Sequence, residues 1–199
     1  VPKTLRVTLN ADMLWDSDDY NEQRQALRSK IAQMLGEEET SPLFNRVVIG
    51  ENESSPTKSI TVEALQSALK KCHFFSTFGK KNAIVKDGSF DKGTNQQTCD
   101  LFYPFLEMCL LYIQEFAIEE WNKTDAEYAM IAMNRGIQAI IRVIDDIVEM
   151  LVLQGSIHPK TDSTEIVFNE VKYYLDPLID YLKGLSTEDR KELRGFFGG

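Results

Sequence analysis

The chain has 199 residues, 43% of them hydrophobic and 27% charged, which suits one globular domain with a core of its own. A formal net charge of -9 excludes a protein that coats nucleic acid over its whole surface, since such a protein would be basic. No stretch approaches the roughly 18 uninterrupted apolar residues of a membrane span, and no secretory signal is visible, so a cytoplasmic location without a membrane partner is expected.

The charge is unevenly spread. Residues 1–100 hold 13 Lys/Arg and 14 Asp/Glu, whereas residues 101–199 hold 9 and 17, so nearly all the acidic excess falls in the second half. Between Lys58 and Lys92, seven lysines face only Glu63, Asp87 and Asp91. The three cysteines, Cys72, Cys99 and Cys109, lack CxxC spacing and read as reduced, buried thiols rather than a disulfide framework or zinc knuckle.

In chain order, Leu5, Leu9 and Met13 recur at helical spacing and predict a short helix or an extended arm over residues 1–15. Asp16-Ser17-Asp18-Asp19 is a polar break able to cap a helix over 20–35, whose face is Leu27, Ile31, Met34 and Leu35 and whose stop is Gly36. Residues 46–49 and 59–61 have strand character and predict a small β-hairpin. Thr61 caps a helix over Val62–Cys72. Residues 76–96, punctuated by Gly79, Gly88 and Gly93, predict a flexible Gly/Lys-rich loop.

From about residue 97 the pattern is helical. A first long helix is expected to run to Trp121, with Phe102, Phe105, Leu106, Cys109, Ile113 and Phe116 inward. Thr124-x-x-Glu127 reads as a capping box opening a second long helix to Leu153, stopped by Gly155. A third helix starts near Asp162-x-x-Glu165 and runs to Lys183 across Pro177, and Ser186-x-x-Asp189 opens a last one ending at Gly195. The expectation is a mainly α fold: one helical bundle over 1–199 with a small β-hairpin. Val1 and Gly198-Gly199 read as the ends of a fragment of a longer protein.

The motif search favours binding over chemistry. The two histidines, His73 and His158, are 85 positions apart and form no metal-ligand spacing, so no metal or cofactor is expected. Asp145, Asp146 and Glu149 read as a solvated helix face opposite the apolar stripe. Adjacent Cys72 and His73 diverge by about 100° on a helix and make no dyad. Phosphate-cradling glycine motifs and a nucleophile elbow are absent, so no catalytic residue is assigned. The candidate DNA contacts are Lys70, Lys71, Lys80, Lys81, Lys86 and Lys92, interleaved with Phe74, Phe75, Phe78 and Phe90. The other reading of the same stretch, and the favoured one, is a solvated loop whose Phe rings pack into the core. Arg135 and Arg142, seven apart on one helix face, either face a phosphate or pair along the helix with Asp146 or Glu149, the second being favoured.

Several phrases, taken in order, resemble the region that follows the signature motif in DGQHR-domain proteins. They are Val1-Pro2-Lys3-Thr4-Leu5, the run from Ser41-Pro42-Leu43-Phe44-Asn45-Arg46 to Asn52, Ser59-Ile60-Thr61-Val62-Glu63-Ala64-Leu65, Asn134-Arg135-Gly136, and the closing Leu193-Arg194-Gly195-Phe196-Phe197-Gly198-Gly199. The family includes DndB-like proteins associated with DNA phosphorothioate modification and relatives near other bacterial DNA-modification or phage-defence systems. The resemblance implies a regulatory or accessory helical region that supports DNA binding or docks other proteins of such a system. It also implies an N-terminal domain bearing the Asp-Gly-Gln-His-Arg signature, which these residues lack. Two other readings are kept: a composite active site on DNA or nucleotide, completed by that domain, and a protein-interaction scaffold. The Ile/Met-faced helix would also serve a homo-oligomer.

Overall fold

The chain, as a computed structural model, is described over residues 12–49, 58–124, 127–131 and 133–197. It is mainly helical with two small sheets. The helices are α1 (Tyr20–Glu37), α2 (Val62–Lys71), α3 (Asn95–Phe116), α4 (Ile118–Trp121), α5 (Asn134–Leu153), α6 (Thr164–Gly184) and α7 (Thr187–Phe197). Five of them close a ring, in which α1 packs on α2, α2 on α5, α5 on α6, α6 on α3 and α3 back on α1. The ring encloses one continuous core that includes Leu27, Ile31, Leu65, Phe102, Leu106, Ile141, Val148, Val171 and Leu175. Each helix turns its 3.6-period apolar stripe toward this centre. Among the described residues no helix is long and apolar enough to cross a membrane.

Local signals set the helix starts. The side chain of Asp19 accepts from the Asn21 N–H, Thr61 from Ala64, Thr94 from Gln97 and Ser163 from Ile166. Each satisfies a donor that the first helical turn leaves without a partner. Ser163, not Asp162, is the cap of α6. Residues 1–11 of the expected N-terminal helix or arm lie outside the described residues.

Four expectations are corrected. Residues 46–49 and 59–61 do pair, but β1 (Val47–Val48) and β2 (Ile60–Thr61) run parallel. A parallel pair is not a hairpin, whose two strands run antiparallel. The hairpin lies instead in the Gly/Lys-rich stretch, where β3 (Thr77–Phe78) and β4 (Ile84–Lys86) pair antiparallel around a 3-10 turn at Lys80–Asn82. Gly36 does not stop α1; it is buried within the last turn, and a Cβ there would sit 2.8 Å from Val47 Cβ. Its role is to let β1 approach the helix.

The first long helix stops at Phe116. Ala117 leaves helical geometry (φ -126°, ψ 39°), and α4 redirects the chain so that Trp121 and Glu120 are buried while Phe116 is half exposed. Arg46 then lies over the Trp121 ring at 5.8 Å, and Glu120 pairs with buried Arg190 of α7. The Thr124–Glu127 box does form, with Glu127 accepting from the Thr124 N–H and hydroxyl, yet no helix follows it directly. Tyr128 takes a left-handed φ of 59°, and α5 starts only at Asn134. The intervening turn crosses the start of α5 so closely that a Cβ on Gly136 would lie 1.6 Å from the Met130 carbonyl. Asn134 accepts from the Thr61 N–H and ties this turn to β2.

The buried polar centre is Arg24. It is 2% exposed, on the core-facing side of α1. Its Nε and Nη2 donate to the two oxygens of Asp91 at 2.8 and 2.7 Å, Nη1 donates to Asn95 Oδ1 at 2.7 Å, and Nη2 also donates to the Gly93 carbonyl. Asp91 accepts in addition from the Ser76 and Gly93 N–H groups, and Asn95 donates to the Trp15 and Gln23 carbonyls. Burial pushes the Asp91 carboxyl up, but the Arg24 fork and the two amides outweigh it and hold the group below the usual carboxylate range. The stabilisation from this pair is therefore present above the unfolded-state pKa and is lost as pH falls through the lower folded value. Acid titration of urea stability should show wild type losing an increment below about pH 4 that Asp91→Asn lacks, with Asp91→Asn about 3–5 kcal/mol less stable at neutral pH.

Candidate functional site

The structure sorts the predicted cations by what they touch. Lys80 and Lys81 occupy the turn of the β3–β4 hairpin and are exposed, Lys81 with a left-handed φ of 57°. Lys70 and Lys71 are exposed at the C-terminal end of α2. Among the described residues none of these four forms an ion pair. Lys86 and Lys92 are committed: Lys86 Nζ lies 3.1 Å from Glu149 Oε1, and Lys92 Nζ donates to the Lys160 carbonyl at 2.6 Å. Arg135 and Arg142 are exposed on α5 and, among the described residues, pair with neither Asp146 nor Glu149, which corrects the favoured reading. The Cys72 thiol lies 4.0 Å from the Ile141 carbonyl, which puts this part of α5, Arg142 included, beside the Lys70–Lys71 end of α2, while Arg135 sits two turns away, about 10 Å along α5.

The aromatic half of the lysine-aromatic pattern faces inward. Phe74, Phe75 and Phe90 are buried and interlock with Phe102 at centroid distances of 4.6 to 5.2 Å. Phe78 packs edge-on against Tyr20 at 5.1 Å. The three buried rings cannot stack on bases. The hairpin itself is stitched to the start of α1: the Tyr20 N–H donates to Asn82 Oδ1, and the Asn21 side chain bridges the Phe78 carbonyl and N–H.

Beside the hairpin lies a cleft of about 530 Å³ that brings together both histidines of the chain. His73, Lys86, Asp87 and Ser89 form one wall, Glu149, Val152 and Leu153 of α5 a second, and His158, Pro159, Lys160 and Thr161 the third. Two ion pairs cross it, Lys86–Glu149 and Lys160–Asp87, the latter at 2.7 Å. His73 Nδ1 lies 3.0 Å from Glu149 Oε2 and 3.3 Å from Asp145 Oδ2.

Asp145 is the main departure from the expected solvated face. It is 3% exposed, and its Oδ1 accepts from the His73 N–H at 2.8 Å. Asp146 is exposed, as expected. Burial raises the Asp145 carboxyl, and the hydrogen bond and imidazole of His73 oppose that rise. Among the described residues no group of three or more His, Cys, Asp or Glu is arranged to hold a metal ion. The cysteines are free and buried; burial pushes Cys99 up to about 11 and raises Cys72 and Cys109 as well, so none is a thiolate nucleophile.

Arg24, Asp91, Asn95 and Asp145 were not among the predicted site residues, although a periodicity signal existed for two of them. Arg24 precedes Leu27 and Ile31 by three and seven positions, and Asp145 follows Ile141 by four, so each lies on an apolar face. The phrases that resemble the DGQHR family also have structural duties here: Ser41 Oγ donates to the Leu35 carbonyl, Arg46 donates to Asn122, and Thr61 caps α2. Comparison with family models, with curated proteins and with solved structures finds no match to this chain.

Because a raised carboxyl pKa means that the ionised form opposes folding, Asp145 costs stability as pH rises from its unfolded toward its folded value. Asp145→Asn keeps an acceptor for the His73 N–H and should be at least as stable as wild type at pH 7. Asp145→Ala should lose about 1–3 kcal/mol by leaving that donor without a partner. Urea denaturation of the two variants checks both signs.

Proposed function

We propose that this chain is a helical accessory region of a DGQHR-type protein, with a regulatory role in a bacterial DNA-modification or phage-defence system, and that it contacts DNA through the phosphate backbone. The observation that carries the reading is the pair Lys80–Lys81: two exposed lysines that form no ion pair among the described residues, at the turn of a hairpin whose first strand is held by Asn21 of α1 and by Asp91. Exposed Lys70 and Lys71 at the end of α2, with Arg142 on the neighbouring turn of α5, offer a second set of cations. The buried Phe rings leave base stacking to other parts of the protein, so the contact on this chain is electrostatic and indifferent to sequence.

A second reading rests on the cleft. Two imidazoles, two lysines and two carboxylates converge there, the arrangement expected of a composite active site on DNA or nucleotide that an N-terminal domain would complete. Placing this wall opposite another domain would supply the water exclusion that its open side lacks.

Fluorescence anisotropy with a labelled duplex at about 50 and 200 mM salt separates the two. The Lys80→Glu/Lys81→Glu variant should bind about tenfold more weakly at low salt, with a salt slope lower by about 2. An unchanged affinity and slope in this variant would remove the hairpin contact and leave the cleft as the stronger candidate.

A further inference from the structure

The acidity of the second half is not only diffuse. Where α6 meets α7, a groove of about 430 Å³ opens between Tyr181, Gly184 and Leu185 at the end of α6 and Asp189, Glu192 and Leu193 of α7. Two features of it are electron-rich. Asp189 and Glu192 supply carboxylates, and among the described residues neither forms an ion pair. The Tyr181 side chain, 55% exposed, supplies the electron-rich face of a ring.

The nearby cations are turned elsewhere. Arg190 is buried against Glu120, while Lys191 and Arg194 lie over the Tyr128 ring at 5.3 and 5.9 Å. Lys183, on the last turn of α6, does not line the groove. Asp189 spends one oxygen: its Oδ2 accepts from the Ser186 N–H and hydroxyl to cap α7, which leaves Oδ1 available. The floor is apolar, formed by Leu185 and Leu193. Tyr174, seven residues before Tyr181 and so on the same face of α6, is also exposed and offers a flanking basic residue a second aromatic surface.

We infer that this groove docks an arginine presented on a basic segment of a partner protein. The guanidinium would lie between Asp189 and Glu192 with its plane on the Tyr181 ring, and its methylene stem would cover Leu185 and Leu193. Arginine fits better than lysine because a planar, weakly hydrated cation meets a ring face and carboxylates together. The sign of the groove excludes a nucleic-acid backbone, so this surface is separate from the hairpin lysines.

The test uses NMR titration of the chain with a blocked peptide of glycine, serine and two arginines, against the same peptide with citrulline in place of arginine. The arginine peptide should give saturable shifts concentrated at Tyr181, Leu185, Glu192 and Leu193, with the citrulline peptide binding about tenfold more weakly. Glu192→Gln, which keeps the shape of the groove and leaves the Asp189 cap alone, should weaken the arginine peptide by a similar factor. Tyr181→Leu, on the separate helix α6, should weaken it too, which carries the test if Glu192→Gln frays α7. Shifts spread evenly over the acidic surface, equal binding of the two peptides, or unchanged binding by the folded variants would overturn the inference.

Discussion

A buried arginine is tolerated only where its charge and its N–H groups find partners, and Arg24 meets that condition by drawing three parts of the chain to one point. Asp91 and Gly93 come from the return of the hairpin, Asn95 from the start of α3, and Ser76, through Asp91, from the start of β3. Removing either charge leaves the other without compensation in the core, which costs more than the pair itself contributes. The placement of the Gly/Lys-rich segment therefore follows from one guanidinium on α1. Phe90, fully buried directly before Asp91, adds apolar packing at the same point.

This constraint gives the hairpin its character as a binding element. Its tip carries two lysines in solvent and is tied to α1 through Asn82, while strand β3 is anchored through the Ser76–Asp91 hydrogen bond and the Tyr20–Phe78 contact. Lysines on a positioned hairpin keep their own rotamer freedom but spare the backbone the ordering cost of binding. The same anchoring sets one wall of the cleft, because Lys86, Asp87 and Ser89 leave the hairpin in a direction that lets Lys86 reach Glu149 and Asp87 reach Lys160. Exposed lysines thus sit at the hairpin turn, while Asp189 and Glu192 line the groove between α6 and α7.

Much of the fold was legible because helices announce themselves by period and cap. The apolar stripes of α1, α3, α5 and α6 and the caps at Asp19, Thr61 and Ser186 lie where the pattern puts them. The errors arose where a tertiary partner overrode a local signal. Gly36 looked like a stop because the approach of Val47 cannot be seen in the sequence. Thr124–Glu127 looked like a helix start, but left-handed Tyr128 and the Met130–Gly136 crossing delay the helix to Asn134. The parallel β1–β2 pair was missed because strand direction depends on where the connection returns.

The candidate site was less legible, since it is made of pairings between residues about 60 to 75 positions apart, such as Lys86–Glu149, Asp87–Lys160 and His73–Asp145. Composition flagged the lysines but not which of them would be occupied. The central claim is that Arg24 holds the hairpin segment. Native-state hydrogen exchange of Arg24→Met against wild type tests it most directly. The account predicts joint loss of protection at the Ser76, Gly79, Phe90 and Asp91 amides, with the helices α5 and α6 still protected. Protection unchanged at those amides, or lost equally over the whole chain, would contradict it.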